Sequence, residues 1–458
     1  MKNTIFTTNK TGAEITPDVV AKFIKRHVVD ELPRLAKLED YYKGEHAILE
    51  REKASGLSNI QIVANHAAYI SDMAAGYLVG EPVVYTAPDG VNIEPLKEAL
   101  RKADAATQDI DLALDVSVFG RGNEMPYMSQ DTPLKIKLAR LSPKNSFVVY
   151  DDTVEQKPVF GVYYLATYDD NGVHTGYKGQ YWTATHRTDI VLDAQHKIKS
   201  AGEPVPHYFR DVPIVEYYNN FNRQGDFEQI ISLIDAYNLL QSDRINDKEQ
   251  FVDALLLIKG QVLGDTANEE LETYQSIKRN KVMTMDSDGD ASFLTRQFDE
   301  AALEILRKAL VSDIHKFSRV PDMTDMNFAA NASGVAMRYK LLGFDNLINI
   351  KERYFAEGLR HRLRLFQSIM KITGQGFDVD DIDIKFNYSL PANELEEAQT
   401  VATLGDNVPT TLKLSYLSSV KDPEEIARQL EEELAKTAQR QRETVFNTPL
   451  TVNETVNE

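Results

Sequence analysis

Apolar residues along this chain keep a helical spacing towards both ends and lose it in between. Thr16-Pro17-Asp18 predicts a helix start, with Thr as N-cap, Pro at the first helical position and Asp in the first turn. Two helices follow to about Gly44, with Pro33 breaking or restarting them. Residues 60–80 predict a third, with Ile62, Ala67, Ile70 and Leu78 in rough register. Pro95 to Phe119 predicts a longer helix ended by Gly120; its apolar positions Leu96, Leu100, Ala103, Ile110, Leu114 and Val118 drift around one face. From Asn123 to about Tyr218 the period changes and Tyr, Val, Thr and Phe dominate, which predicts a block of antiparallel strands. Asn171-Gly172 marks a hairpin inside that block, because both residues tolerate positive φ.

Helical spacing returns at Phe227. Ile230, Ile234, Tyr237, Ile245, Val252 and Leu255 carry it to about Ile258, and a helix of about thirty residues would reach roughly 45 Å. A short αβ insertion follows: strand-like Leu256-Leu257-Ile258, a helical Asn268–Lys278 and a hairpin over Val282–Leu294 around Asp288-Gly289. Asp299 to Phe317 is helical again, so two helices flank the insertion as a rod with a knob on its end. Ser333 to about Ile372 predicts one helix of roughly 60 Å. Gly343 and Gly358 lie inside it, each costing about 1 kcal/mol against Ala and each a place for a kink. Arg360, His361, Arg362, Arg364 and Lys371 crowd its C-terminal end, where the helix field favours cations. After a strand-like Ile382–Tyr388, Pro391 opens a helix running to Gly405, and Asp422-Pro423-Glu424-Glu425 opens another. Past Glu443 the composition turns to Thr, Asn, Val and Glu without period, which predicts a disordered tail at 446–458. The class is α+β, mainly helical.

Between the last two long helices lies the most informative stretch, Phe317 to Phe344. Pro321 cannot donate a backbone hydrogen bond and pushes Val320 out of the α region. Small and amide residues follow, then Ser333-Gly334, and the helical pattern restarts at Val335. A pliant loop between two rigid helices suits a surface that touches something large without gripping it. It holds no nucleophile, base or metal-ligand set.

Composition narrows the function by exclusion. A chain of 458 residues with 42% hydrophobic content predicts two to four soluble domains. No apolar run approaches a membrane span and the N-terminus shows no signal-peptide-like apolar segment, so a cytoplasmic protein is expected. The absence of cysteine excludes disulfides, thiolate zinc sites and thiol nucleophiles. A formal charge of −19 argues against wrapping nucleic acid for affinity, which needs clustered cations. It does not argue against a surface past which DNA slides, since an acidic wall repels phosphate.

Candidate chemistry is thin. Asp286, Asp288 and Asp290 look like the start of a calcium loop, but the sixth and twelfth places hold Ala291 and Gln297 where Gly and Glu are needed. Asp378, Asp380, Asp381 and Asp383 have no accompanying histidine and suit a solvated turn better than a metal. Gly120-Arg121-Gly122 is a helix end plus turn, and no Gly-x-x-x-x-Gly-Lys-Ser/Thr is present, so the chain should not hydrolyse nucleotides. No catalytic residue, metal or cofactor is therefore assigned.

A series of phrases, in order, resembles one family. Pro321-Asp322-Met323-Thr324-Asp325 leads through Phe328 and Asn331 to Ser333-Gly334-Val335-Ala336 and Tyr339-Lys340-Leu341-Leu342. Upstream stand Tyr41-Tyr42-Lys43-Gly44-Glu45-His46, then Asn65-His66-Ala67-Ala68-Tyr69-Ile70 running into Gly76-Tyr77-Leu78-Val79-Gly80-Glu81-Pro82. Mid-chain come Phe119-Gly120-Arg121-Gly122-Asn123-Glu124, Val148-Val149-Tyr150-Asp151-Asp152, and Leu233-Ile234-Asp235-Ala236-Tyr237 with Ser242-Asp243. Together they resemble the siphophage-type portal proteins of tailed double-stranded DNA phages, over roughly residues 30 to 430.

That resemblance implies a portal fold with residues 1–226 as a wing of helices and β-rich block, 227–256 and 298–319 as stem helices, and 257–297 as a clip. It implies a tunnel loop at 320–332, a long wing helix and return strand at 333–389, and a helical crown at 390–445. The clip-like segment is short for the family. The implied function is a ring of about twelve subunits at one capsid vertex, through which double-stranded DNA is packaged and ejected. Implied partners are the terminase large subunit, scaffold, major capsid protein and a head-completion adaptor, with no membrane. Implied locations are the virion, and the host cytoplasm before assembly. Arg319, Asn327, Phe328 and Asn331 are the implied DNA-facing residues, with Pro321, Ser333 and Gly334 as the loop-to-helix hinge. The alternatives are another head or neck structural subunit, or a hydrolase using paired carboxylates.

Overall fold

The computed structural model describes the chain apart from residues 1–4, 56–57, 130–134, 252–254, 260–265, 281–289, 295–298, 325–333, 373, 389–393, 406–407, 418, 421–422 and 447–458. It divides into two compact units. The first comprises Met1–Leu38, Ile70–Asp226 and Arg319–Glu458, and the second Glu39–Tyr69 and Phe227–Ser318.

The first unit opens with β1 (Phe6–Thr8) and α1 (Pro17–Arg26), which starts at the predicted Thr16-Pro17. A π turn, His27–Glu31, leads directly into α2 (Leu32–Lys43). Pro33 follows the π turn within one continuous helical run from Pro17 to Lys43, so it neither breaks nor restarts the helix. The next helix, α3 (His66–Val79), begins later than the predicted residue 60, and β2 (Val84–Thr86) follows it. The predicted single helix from Pro95 to Phe119 is two, α4 (Glu94–Lys102) and α5 (Ala105–Phe119). Asp104 between them has φ 56°, a left-handed conformation that no helix interior accepts. Gly120 ends α5 as expected, with φ 80°.

The β-rich block contains β3 (Arg121–Met128), β4 (Ile136–Leu141), β5 (Ser146–Asp151), β6 (Pro158–Tyr168), β7 (His174–Trp182), β8 (His186–Asp193), β9 (Ile198–Ala201), β10 (Val205–Pro206) and β11 (Val215–Tyr218). One sheet has the order β1-β5-β6-β7-β8-β10 with β9 on β8, and a second the order β11-β3-β4. Among the described residues, only the β1–β5 pairing in the larger sheet is parallel. The apolar face of α1 packs on that sheet, where Phe6, Phe23, Phe147 and Phe160 form the core. The Asn171-Gly172 hairpin joins β6 to β7 through a wider turn than a two-residue loop. Gly172 alone takes positive φ, at 78°, and the Asp169 carboxylate accepts from the N–H groups of Asn171 and Val173.

The second unit holds α6 (Ile231–Phe251), β12 (Leu255–Lys259), α7 (Ala267–Asn280), β13 (Asp290–Leu294) and α8 (Glu300–Ser318). The helix predicted to run from Phe227 to Ile258 stops at Phe251, and strand β12 takes its last residues. β13 pairs antiparallel with β12, which precedes α7 in sequence, Leu255 opposite Leu294 and Lys259 opposite Asp290. The proposed first arm of that hairpin and the turn at Asp286-Ser287-Asp288-Gly289 lie outside the described residues.

The chain completes the first unit with α9 (Gly334–Ile372), β14 (Asp383–Lys385), α10 (Glu394–Leu404), α11 (Thr410–Ser415) and α12 (Pro423–Phe446). β14 is shorter than the predicted strand and pairs with β2. Pro391, Asp422 and the tail beyond Phe446 lie outside the described residues. α9 is one unbroken helix of 39 residues, as the spacing predicted. Neither glycine breaks it: Gly343 faces open space, while a Cβ at Gly358 would lie 2.3 Å from the Tyr217 ring. Gly358 thus permits close approach of helix and strand.

The basic cluster of α9 also serves packing rather than the helix field alone. Arg362 is fully buried and donates from Nε to Glu124 (2.7 Å) and from Nη2 to Asp109 (2.6 Å). Although burial opposes its charge, Asp109 and Glu124 outweigh it and hold the guanidinium protonated well beyond its ordinary range. Also buried in this unit, Arg121 lies between Glu31 (3.5 Å) and Glu216 (3.6 Å), and Lys351 pairs with Asp226. Such pairs recover little net energy against desolvation, but removal of one member leaves a naked charge and costs about 3–5 kcal/mol.

Candidate functional site

The candidate site is the helix pair of the second unit and the loop that follows it in sequence. α6 and α8 pack against each other, tied by charges on their sides. Arg244 donates from Nε to Glu300 (2.9 Å) and from Nη1 to Glu304 (3.2 Å). Lys248 reaches Glu300 (3.2 Å) and Arg307 reaches Glu304 (2.7 Å). Hydrogen bonds from Arg244 and then Lys248 hold the Glu300 carboxyl below its ordinary range, and those from Arg307 do the same for Glu304. These carboxylates stay ionised, and they are consumed in joining helices rather than poised for proton transfer.

A second tie is absent from any sequence expectation. Asn238, Ser242 and Asn246 are each fully buried and stand four residues apart on one face of α6. Their side chains accept from the backbone N–H groups of Ala64 (2.9 Å), Ile62 (2.9 Å) and Ile60 (2.6 Å). Four helical residues advance about 6 Å and two extended residues about 6.6 Å. A helix can therefore zip an antiparallel extended strand by that repeat. Arg51 and Lys53 extend the zipper to Asp243 at 2.7 and 3.3 Å. The signal was visible as small polar residues recurring at i, i+4 and i+8 inside an amphipathic helix.

The outer arc of α8 is unlike a finished surface. Ala302, Ile305, Leu306, Ala309, Ser312, Lys316 and Phe317 are all exposed, and at 100° per residue they share one side of the helix. Ile305 is 71% exposed, Leu306 48% and Phe317 57%.

α8 ends at Ser318, whose hydroxyl donates to the His315 carbonyl (3.2 Å). The reversal falls at Arg319, in the left-handed region at φ 62°, two residues ahead of Pro321. The Arg319 side chain is exposed and has no hydrogen-bond or ion-pair partner among the described residues, whereas Val320 is fully buried. The Asp322 carboxylate then accepts from Thr324 N (2.9 Å) and Oγ1 (2.6 Å), turning the chain again. Asn327, Phe328, Asn331 and Ser333 lie outside the described residues, and Gly334 is the first residue of α9. So the structure locates Arg319, Pro321 and Gly334 and does not place the other predicted site residues.

Among the described residues no group of histidine and carboxylate side chains could hold a metal, and no helix is long and apolar enough to cross a membrane. Asp378 caps a short 3-10 turn by accepting from Asp380 N (3.3 Å).

The sequence model of a family described as phage portal protein, SPP1 Gp6-like, matches residues 21–440. The portal protein of Bacillus phage SPP1 is 24% identical over 396 residues, covering 81% of this chain and 75% of the relative. The portal protein of Clostridium phage phiCD119 is 26% identical over 226 residues, 48% of each. Among solved structures, a chain in the neck of an empty gene transfer agent particle superposes with a TM-score of 0.47 at 13% identity, covering 86% of this chain and 93% of that one. A chain of the native gene transfer agent virion gives 0.44 at 13% identity, covering 88% and 99%.

Proposed function

The chain belongs to the SPP1 Gp6-like family of phage portal proteins, structural virion components rather than enzymes; from that premise we propose that its copies close into a ring at one capsid vertex. The bore of the ring passes double-stranded DNA inward during packaging and outward during ejection. One observation carries this reading: the exposed apolar arc of α8, with Ile305 at 71% and Phe317 at 57%. A helix that leaves such an arc uncovered gains from a neighbour that buries it, and a repeated neighbour closes a ring.

In this reading the paired helices at 227–256 and 298–319 line the channel, and the loop at 320–332 touches the moving duplex. Arg319 supplies intermittent phosphate contacts, Asn327, Phe328 and Asn331 neutral ones, and Pro321, Ser333 and Gly334 the hinge. A ring of about twelve copies multiplies the −19 of each chain, so phosphates are repelled from the wall and the duplex slides instead of sticking. The clip at 257–297 meets the terminase large subunit and later the head-completion adaptor. Residues 1–226 and 333–389 form the wing and 390–445 the crown. Scaffold and major capsid protein seat the ring, after its synthesis in the host cytoplasm.

Size-exclusion with light scattering and negative-stain imaging tests the assembly. The wild-type chain should give rings with a central hole, and Ile305→Asp with Leu306→Asp should give folded single subunits. A solitary wild-type chain, or a hole too narrow for the duplex, overturns the reading. Arg319→Ala with Asn331→Ala should leave ring formation intact and impair packaging; unchanged packaging would remove the loop from the channel.

A further inference from the structure

A groove in the first unit is lined by none of the residues so far given a role in the channel. It has a volume of about 1550 Å³ and is walled by α4, the ends of β3 and β4, residues 206–209 and the C-terminal turn of α9. Small-molecule pockets hold about 300–1,000 Å³, so this one suits a length of polypeptide. Its floor and lips are apolar and aromatic: Met125, Trp182, Phe209 and Ile369, with Tyr208 and Ile372 at the rim, 70% and 58% exposed.

Its polar groups ask for an acceptor. Trp182 Nε1 and Arg187 Nε are buried donors with no hydrogen-bond partner, and the Arg187 guanidinium lies over the Trp182 ring at 5.7 Å. Its charge is opposite to that of the chain. Glu94 and Glu98 are matched by Lys97 (3.5 Å) and Lys102 (2.6 Å). Arg101, Lys135 and Arg187 add three further cations to the lining, Arg101 acting on Glu98 at longer range and Arg187 lying 3.8 Å from the carboxylate of Asp189. A basic, aromatic trough on a chain of net charge −19 is a local exception that solubility does not explain.

We propose that this groove docks an acidic peptide segment of a partner protein, held by apolar anchors on the floor and by carboxylates against Arg101, Lys135 and Arg187. Unpaired buried donors find acceptors in such a segment, and the rim cations steer its approach.

The chain contains a single tryptophan, Trp182, so intrinsic emission reports occupancy of the groove directly. The test uses the full-length protein in its assembled form and tryptophan-free peptides of about fourteen residues. One carries Asp and Glu around Leu and Phe anchors, a second replaces the acids with Lys, and a third keeps the acids without anchors. A fourth copies Pro423–Lys436 of α12, the chain's own acidic amphipathic helix. The first peptide should shift Trp182 emission saturably, and Arg101→Glu with Lys135→Glu should weaken it about tenfold or more. Unliganded emission of that variant should match wild type, because both side chains are exposed. Three results overturn the proposal: no peptide shifts the emission; the basic or unanchored peptide binds as well as the first; or the α12 copy binds best, which would make a second copy of this chain the occupant.

Discussion

The two compact units use charge in opposite ways. In the first, Arg362, Glu124, Lys351 and Asp226 are out of contact with water and each is matched inside the fold. In the second, Arg244, Glu300, Glu304 and Arg307 sit along the sides of two helices, partly in solvent, where ion pairs contribute little. The first unit spends desolvation on fixing one arrangement of its own elements. The second secures its helices loosely and leaves Ile305 and Leu306 uncovered. A region completed internally can carry buried charge, whereas one completed by its neighbours keeps apolar area in reserve.

The strongest way to break this contrast is Arg362→Met. It strands Glu124 and Asp109 and should lower stability by about 3–5 kcal/mol, read as a shift in the denaturant midpoint by far-UV circular dichroism. Adding Glu124→Gln should restore part of the loss, and a negligible effect of the first change would mean the network is not a determinant of the fold. Next is Gly358→Ala. The new methyl meets the Tyr217 ring at 2.3 Å, so a loss of about 1–3 kcal/mol should override the helix-propensity gain of about 1 kcal/mol. A stabilised variant would instead favour helix propensity over close packing.

A pH series sharpens the same contrast. Burial, with Arg121 nearby, holds the His27 pKa down to about 3, against about 6.5 in an unfolded chain. The unfolded form therefore takes up a proton first. Stability from the neutral ring is complete above about pH 6.5 and drains away as pH falls towards 3. Melting temperature should drop between pH 7 and 5, and His27→Phe should make that slope shallower. An unchanged slope would assign acid sensitivity to the carboxylates alone. The smallest effect is expected from Arg244→Ala, which should leave the unfolding midpoint within error, since its partners are half in solvent and Glu304 keeps Arg307 (2.7 Å). A large loss there would erase the distinction between the units.

The sequence made much of the architecture legible where one local rule decides the outcome. Thr16-Pro17 opened α1, Gly120 closed α5, and a sustained period carried α9 across two glycines. It failed where a single backbone angle or a distant partner intervened. Asp104 at φ 56° split a helix that apolar spacing alone joins, and the pairing of β13 with β12, on the other side of α7 in sequence, had no local signal. The cations at the end of α9 also read as an electrostatic gradient, because nothing nearby in sequence announces Glu124 or Asp109 as partners of Arg362. Of the candidate site, Arg319 directly follows α8 and Gly334 opens α9, while Pro321 lies three residues past the end of α8. The Asn238, Ser242, Asn246 zipper needed the strand it grips to be seen.

α9 is pinned along its length. Asp345 is held by Tyr77 (2.8 Å), Lys351 by Asp226, Gly358 by the Tyr217 ring, Arg362 by Glu124 and Gln367 by the Phe377 carbonyl (2.7 Å). Fasteners on several sides forbid the rod to spin about its own axis or slide by a turn. It behaves as a stiff strut, and a nudge at Gly334 arrives at Ile372 about 57 Å away as displacement rather than being absorbed on the way. The start of α9 at Gly334 and its end beside the basic trough are thus mechanically one object.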